Sequence, residues 1–300
     1  TVKWILLSIF VLGGCASSEG GDDKEPVFES DVESIRIEPA SITLSTNGVI
    51  PASVKFKAYA TTQSGEEVET DMVSWSVSNL SAGEINSRGK FESATLNGGV
   101  TTVTATHVGI EGTAVVTVVY EQDVVEGELS RSLISAFDGA SSVDSDLPYI
   151  AYPADGVTVP RNLEGLAFTW EMPSAANVTR LRMQSGITDM SIYTEGDTWF
   201  SNSDVWATIA ASNTEGTVDV SIASGAWDGT ALTDVQQGPD FSLTVNRLDA
   251  RGSVLYWVAR ADAGGGQPGG DIMRIPFGST ESETFWSFED AGQCVGCHTL

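Results

Sequence analysis

Thr102-Val103-Thr104-Ala105-Thr106 and Thr113-Ala114-Val115-Val116-Thr117-Val118-Val119 are two runs rich in threonine and valine, and they decide the fold class. β-Branched residues are stiff about χ1 and pack well on a pleated surface. Both runs are too short for a long helix, and neither carries a helical stripe. The same reading extends upstream. Ser34-Ile35-Arg36-Ile37-Glu38, Val54-Lys55-Phe56-Lys57-Ala58-Tyr59 and Val73-Ser74-Trp75-Ser76-Val77-Ser78 alternate with period two. Turn signals separate them at Thr46-Asn47-Gly48, Ser64-Gly65, Ser87-Arg88-Gly89 and Asn97-Gly98-Gly99. Short alternating strands at this spacing predict a β-sandwich over residues 33–120, with Trp75 as an inward aromatic.

A second strand set follows. It comprises Leu166–Trp170, Thr179–Met183, Met190–Thr194, Val218–Ile222, Phe241–Val245, Val254–Val258 and Ile272–Pro276. One stretch breaks the rhythm: from Ser203 to Ala211, Val205, Trp206 and Ile209 share a helical face. A short helix is predicted there, capped by Ser203. Residues 147–278 are expected to form a second sandwich, loosely like an Ig or fibronectin type III domain. The acidic stretch 121–146 is expected as a linker, with one short helical turn between Leu129 and Phe137. The fold class is therefore all-β, two tandem Ig-like sandwiches.

The pattern of the first unit is similar to the bacterial Ig-like group 2 domain. The residues that carry the resemblance are Ile35-x-Ile37-x-Pro39, Ala58, Gly65, Val73-x-Trp75-x-Val77, Ala82 to Ile85, Gly89-Lys90-Phe91, Val103-Thr104-Ala105, Gly112 and Val116-x-Val118. The resemblance implies a sandwich serving as a spacer or as a cell-surface adhesion unit.

Both termini carry chemistry. Residues 1–14 have the layout of a secretory signal, with Lys3, an apolar run from Trp4 to Leu12, and Gly13-Gly14 before Cys15. Leu12-Gly13-Gly14-Cys15 resembles a bacterial lipobox. That likeness implies cleavage before Cys15, lipidation of its sulfur and new amine, and a membrane partner through the anchor. Ala16 after Cys15 favours the outer membrane. An ordinary signal peptide that happens to hold a cysteine is the alternative. Because the chain begins at Thr1, we expect residues in front of it. Residues 15–32 continue as the modified Cys and a small, acidic, flexible tether.

Residues 279–300 form a connector followed by Cys294-Val295-Gly296-Cys297-His298. Cys-x-x-Cys-His is the pattern of covalent c-type haem attachment. Two thiols three positions apart can each bond one vinyl group of a porphyrin, and the adjacent imidazole can ligate its iron. Cys294 and Cys297 are thus the candidate cofactor-binding residues and His298 the candidate metal ligand. A structural disulfide and half of a zinc site are the competing readings. A zinc site would need a further ligand pair, and only Cys15 and His107 remain among the three Cys and two His of the chain. The haem segment is incomplete within these residues. A pocket and any sixth ligand are expected past Leu300. Phe285, Trp286 and Phe288 can cover one porphyrin edge. Met273 is expected to pack in its strand, and His107 to be a surface or edge residue.

Composition narrows the partners. Lys and Arg total 15 against 41 Asp and Glu, a formal charge of −26, so nucleic acid is not expected. No Ser-His-Asp set, nucleophile elbow or phosphate loop is present, and any catalysis would lie beyond Leu300. Asp144-x-Asp146 lacks the pattern of a calcium loop. Trp199, Phe200, Trp206 and Trp227 could stack on a sugar, but core packing is the expectation. The leading functional expectation is an envelope lipoprotein whose modules present a c-type haem for electron transfer to a redox partner. The other is a non-enzymatic adhesion or scaffold lipoprotein with an unloaded motif.

Overall fold

The computed structural model describes residues 32–260, 269–277, 279 and 281–291. Its first unit runs through β1 (Val32–Glu38), β2 (Ser41–Thr46), β3 (Ser53–Lys55), β4 (Lys57–Thr62), β5 (Glu67–Thr70), β6 (Ser74–Val77), β7 (Gly83–Ile85), β8 (Lys90–Ser93), β9 (Gly99–His107) and β10 (Ile110–Val125). β1-β4-β5 form one sheet and β3-β8-β7 another, while β2, β9 and β6 extend from β10. Val54 to Tyr59, read as a single strand, changes sheets at Phe56. Lys55 pairs with β8, Lys57 pairs with β1, and the Phe56 ring is buried between. Ile35, Ile37, Phe56, Ala58, Phe91, Val103, Ala105, Ala114, Val116 and Val118 make up the core. Trp75 packs on it partly exposed, 6.4 Å from the Phe56 ring.

The second unit continues with α1 (Ser132–Gly139), β11 (Val143–Asp144), β12 (Tyr149–Tyr152), β13 (Val157–Pro160), β14 (Ala167–Glu171), β15 (Val178–Gln184), β16 (Thr188–Glu195), β17 (Thr198–Phe200), α2 (Ser203–Ser212), β18 (Thr217–Trp227), β19 (Leu232–Gln237) and β20 (Phe241–Asn246). β12-β14-β17 is one layer, and β19-β18-β15-β16 with β20 and β13 is the other. The core between them holds Phe168, Trp170, Leu181, Met183, Met190, Ile192, Trp199, Val220, Ile222 and Leu243, sealed by Trp206 and Ile209 of α2. The helix is where the apolar spacing put it. Its cap, however, is Asn202 rather than Ser203: Asn202 Oδ1 accepts from Val205 N at 2.9 Å.

Residues 121–146 depart from the linker expectation. The first five extend β10 into the second unit, where Tyr120 to Val125 run parallel to Thr188 to Tyr193 of β16. One face of β10 then serves both cores. Ala114, Val116 and Val118 line the first, while Tyr120 and Val124 line the second. The period-two alternation runs on through exposed Glu121 and Asp123 to Val124, so an acidic sequence can form a strand when every second residue faces solvent. α1 follows and buries Leu133 and Phe137 against Val178, Tyr193, Ala223 and Val235.

Further hydrogen bonds secure the junction. Tyr120 N donates to Ile187 O at 3.0 Å, and Ser45 Oγ donates to Glu121 Oε1 at 2.7 Å. The amide of Gly98, expected only to turn the chain, donates to Ser212 Oγ. A Cβ there would collide with the Ile187 carbonyl, so the residue must be glycine for the backbones to approach.

β21 (Ser253–Arg260) and β22 (Gly269–Pro276) lie where strands were expected but do not join the second sandwich, and β23 (Glu283–Trp286) is a strand in the stretch read as a connector. They form a three-stranded sheet of their own, followed by α3 (Phe288–Ala291). The sequence could not separate these cases. A strand's period is the same whichever sheet it joins.

Candidate functional site

Cys15, Cys294, Cys297 and His298 lie outside the described residues. What the structure gives is the platform that leads to the C-terminal motif. β21 and β22 form an antiparallel pair in which Val254, Tyr256 and Val258 oppose Ile275, Met273 and Asp271. Leu255 and Trp257 oppose Arg274 and Ile272 on the other face, and Ile272 also pairs with Trp286 of β23. Val254, Tyr256, Val258, Phe285 and Trp286 are 36–49% exposed, unlike the sealed aromatics of the second core. Arg274 Nε donates to Glu283 Oε1 at 2.7 Å and its guanidinium lies 5.6 Å from the Phe285 ring, closing the far end of the sheet with a charge pair.

α3 is fixed to the near end. Phe288 N donates to Asp271 Oδ1 at 2.8 Å, and the Asp271 residue is buried. Ser287 Oγ accepts from Asp290 N at 3.0 Å and donates to Asp290 Oδ2 at 2.5 Å, a reciprocal cap on the first turn. The Ser287-Phe288-Glu289-Asp290 spacing was a readable cap signal in the sequence. Phe285 and Trp286 are on β23 and Phe288 opens α3, so all three stand next to the motif in the chain. Met273 is half-buried on the Tyr256 face, 3.8 Å from the Thr284 hydroxyl.

His107 is not a surface residue. It is buried, and its Nδ1 lies 2.6 Å from the Met72 carbonyl oxygen. Its ring ties the end of β9 to the approach to β6. Trp199 and Trp206 are buried in the second core, Trp227 packs partly buried beside α1, and Phe200 is exposed, so the four share no stacking surface. Among the described residues no group of three or more His, Cys, Asp or Glu is placed to hold a metal ion. Asp144 instead pairs with Gln237 as part of β11.

A polar cleft of about 580 Å³ lies at the junction of the two units. Its floor is the outward face of β10, β16 and β15, with Asp123, Ser191 and Arg182 in adjacent register. Arg131 and Asp138 come from the α1 side, and Asn47 from the first unit. Arg182 makes a two-pronged bond to Asp189 at 2.8 and 2.6 Å, and that bond raises the guanidinium further above its ordinary value. Tyr193 is pushed from 10.0 up to about 12, first by burial and then by the charges of Asp123 and Asp138. Two ion pairs line the cleft, Arg182 with Asp189 and Arg180 with Asp138 at 3.6 Å.

No family model and no curated protein sequence matches the chain. Among solved structures it is similar to domains 4 and 5 of the S-layer protein SbsC, at 13% identity and a TM-score of 0.23, over 72% of this chain and 100% of that one. It is also similar to the N-terminal four Ig domains of Dscam1, at 10% identity and a TM-score of 0.26, over 74% and 47%. A tandem of titin Ig domains matches at 10% identity and a TM-score of 0.23, over 73% and 98%. The assignment to tandem β-sandwiches rests on the sheet pairs and their cores, not on these likenesses. Among the described residues no helix is long and apolar enough to cross a membrane.

Proposed function

We propose that the chain is an envelope lipoprotein that holds a c-type haem away from the outer membrane for electron transfer to a partner protein. The observation that carries this reading is Cys294-Val295-Gly296-Cys297-His298. Covalent attachment asks for two thiols, an adjacent imidazole and an apolar surface beside them. The sequence supplies the donor set, and the half-exposed sheet β21–β23 supports the third requirement. Bound haem would supply one-electron chemistry at its iron. The residues that would hold it are Cys294 and Cys297 through their sulfurs and His298 through its imidazole. The first sandwich, read as a bacterial Ig-like group 2 domain, and the second act as a strut. β10 crosses both as one strand of 16 residues, about 50 Å at the rise of an extended chain. Such a strut would hold the two units as one body at the end of the tether that follows a lipid anchor at Cys15.

The test is expression of the full chain in a host competent in covalent haem attachment. A haem-stained band that survives denaturing electrophoresis, and is lost in Cys294→Ala/Cys297→Ala, supports the reading. A colourless protein refutes it and leaves adhesion or scaffolding as the function of the strut.

A further inference from the structure

The chain holds two Asn-Gly pairs, Asn47-Gly48 and Asn97-Gly98. Glycine carries no Cβ, so its nitrogen can reach the side-chain carbonyl carbon of the preceding asparagine unhindered. The fold treats the two pairs differently. Gly98 is buried at the junction of the two units, and its amide donates to Ser212 Oγ at 3.0 Å. Asn47 is exposed in the turn that follows β2. Among the described residues the Gly48 amide has no acceptor.

We propose that Asn47 is a site of spontaneous deamidation and that the junction protects Asn97 from the same reaction. Asn47 Oδ1 accepts from Val49 N at 3.2 Å and from Ile50 N at 3.3 Å. Those two N–H groups face the oxygen on which negative charge grows as the Gly48 nitrogen adds to Asn47 Cγ, so they favour the step. Gly48 has a φ of +83°. Other residues are strained there, so the turn keeps its glycine and with it the reactive pair. At Asn97 the attack must first pull the Gly98 amide away from Ser212 Oγ. The Ile187 carbonyl leaves no room beside Gly98 for the backbone to rotate. Reaction at Asn97 therefore waits for local opening of the junction.

The step needs only water. The Gly48 nitrogen gives its proton to water and bonds to Asn47 Cγ. The Cγ–Nδ2 bond breaks and the side-chain nitrogen leaves as ammonia, which closes a succinimide ring. Water then opens the ring. Cleavage at Cγ leaves an aspartate in the ordinary chain. Cleavage at the main-chain carbonyl leaves an isoaspartate, with the chain running through Cγ. Nothing is oxidised or reduced. Either product adds a carboxylate to the junction cleft, whose lining already has four carboxylates against three guanidiniums. The change tips the cleft further toward cations.

The experiment ages the full chain at mildly alkaline pH and follows tryptic peptides 37–55 and 91–131 by mass spectrometry. Each peptide holds a single asparagine, so the mass gained when NH2 becomes OH is assigned without ambiguity. In the folded protein 37–55 should convert more than about tenfold faster than 91–131, and the gap should close in urea, where the junction is lost. Asn47→Gln should abolish conversion of 37–55, because the longer side chain closes a less favourable ring. Equal rates in the folded protein overturn the proposal. A gap that persists in urea assigns the difference to flanking residues and overturns protection by the junction. Conversion of 37–55 in Asn47→Gln places the reaction elsewhere and overturns the site.

Discussion

The amide of Gly98 donates to Ser212 Oγ at 3.0 Å, across the boundary between the two sandwiches. Both residues sit away from solvent, and the adjacent Ile187 carbonyl already accepts from Tyr120 N. With Tyr120 buried in the second core from a strand of the first, the boundary behaves as interior rather than as a hinge. Removing one partner of such a buried bond strands the other without water, at a cost of about 1–3 kcal/mol.

Gly98→Val should therefore uncouple the units. Its side chain would meet the backbone of Ile187, which cannot move without shifting β16. We expect a loss of about 1–3 kcal/mol, as for overpacking in a core. In calorimetry a single cooperative transition should split into two. A variant that keeps one transition at the original temperature would show that Gly98 does not set the junction.

Asn202→Ala should destabilise the second unit by about 1 kcal/mol, the usual cost of losing an N-cap side chain. The bond at risk is Val205 N to Asn202 Oδ1, which orients the helix that seals Trp206 into the core. Denaturant midpoints report the change. An unchanged midpoint would mean that Trp206 alone holds α2 in place.

Alkaline pH should weaken the fold through Tyr193. Its folded pKa is raised from 10.0 to about 12 by burial, with help from Asp123 and Asp138. Between these values the unfolded chain has released a proton that the folded chain keeps, so stability is fully present below the lower value and falls as pH rises through the window. Tyr193→Phe removes this dependence. Urea midpoints of both proteins from pH 9 to about 12 should converge only at the alkaline end. Parallel curves would contradict the assignment.

Membrane attachment tests the other end of the proposed function. Cys15→Ser should leave the chain unprocessed or release it into the soluble fraction, because several acyl chains anchor a protein and none would then be added. Membrane extraction identical to that of the unsubstituted protein would refute lipidation at Cys15.

Alternation in Val73–Ser78, Thr102–Thr106 and Thr113–Val119 was enough to settle the all-β class. The period of a strand is written in each residue's polarity and does not wait for a partner. The helix at α2 was legible for the same reason, from Val205, Trp206 and Ile209 on one face. The motif at Cys294–His298 was legible because its chemistry depends on spacing along the chain. Three things were not. Residues 121–125 read as an acidic linker, yet they are the end of β10, because the partner that makes them a strand, β16, lies more than sixty residues away. β21 and β22 read as more of the second sandwich, because alternation reveals a strand but not its neighbour. His107 read as a surface or edge residue, because nothing local announces that the Met72 carbonyl will meet its ring. Local polarity fixed which segments are strands. Only packing at long range decided which sheet each one joins and where one core gives way to the next.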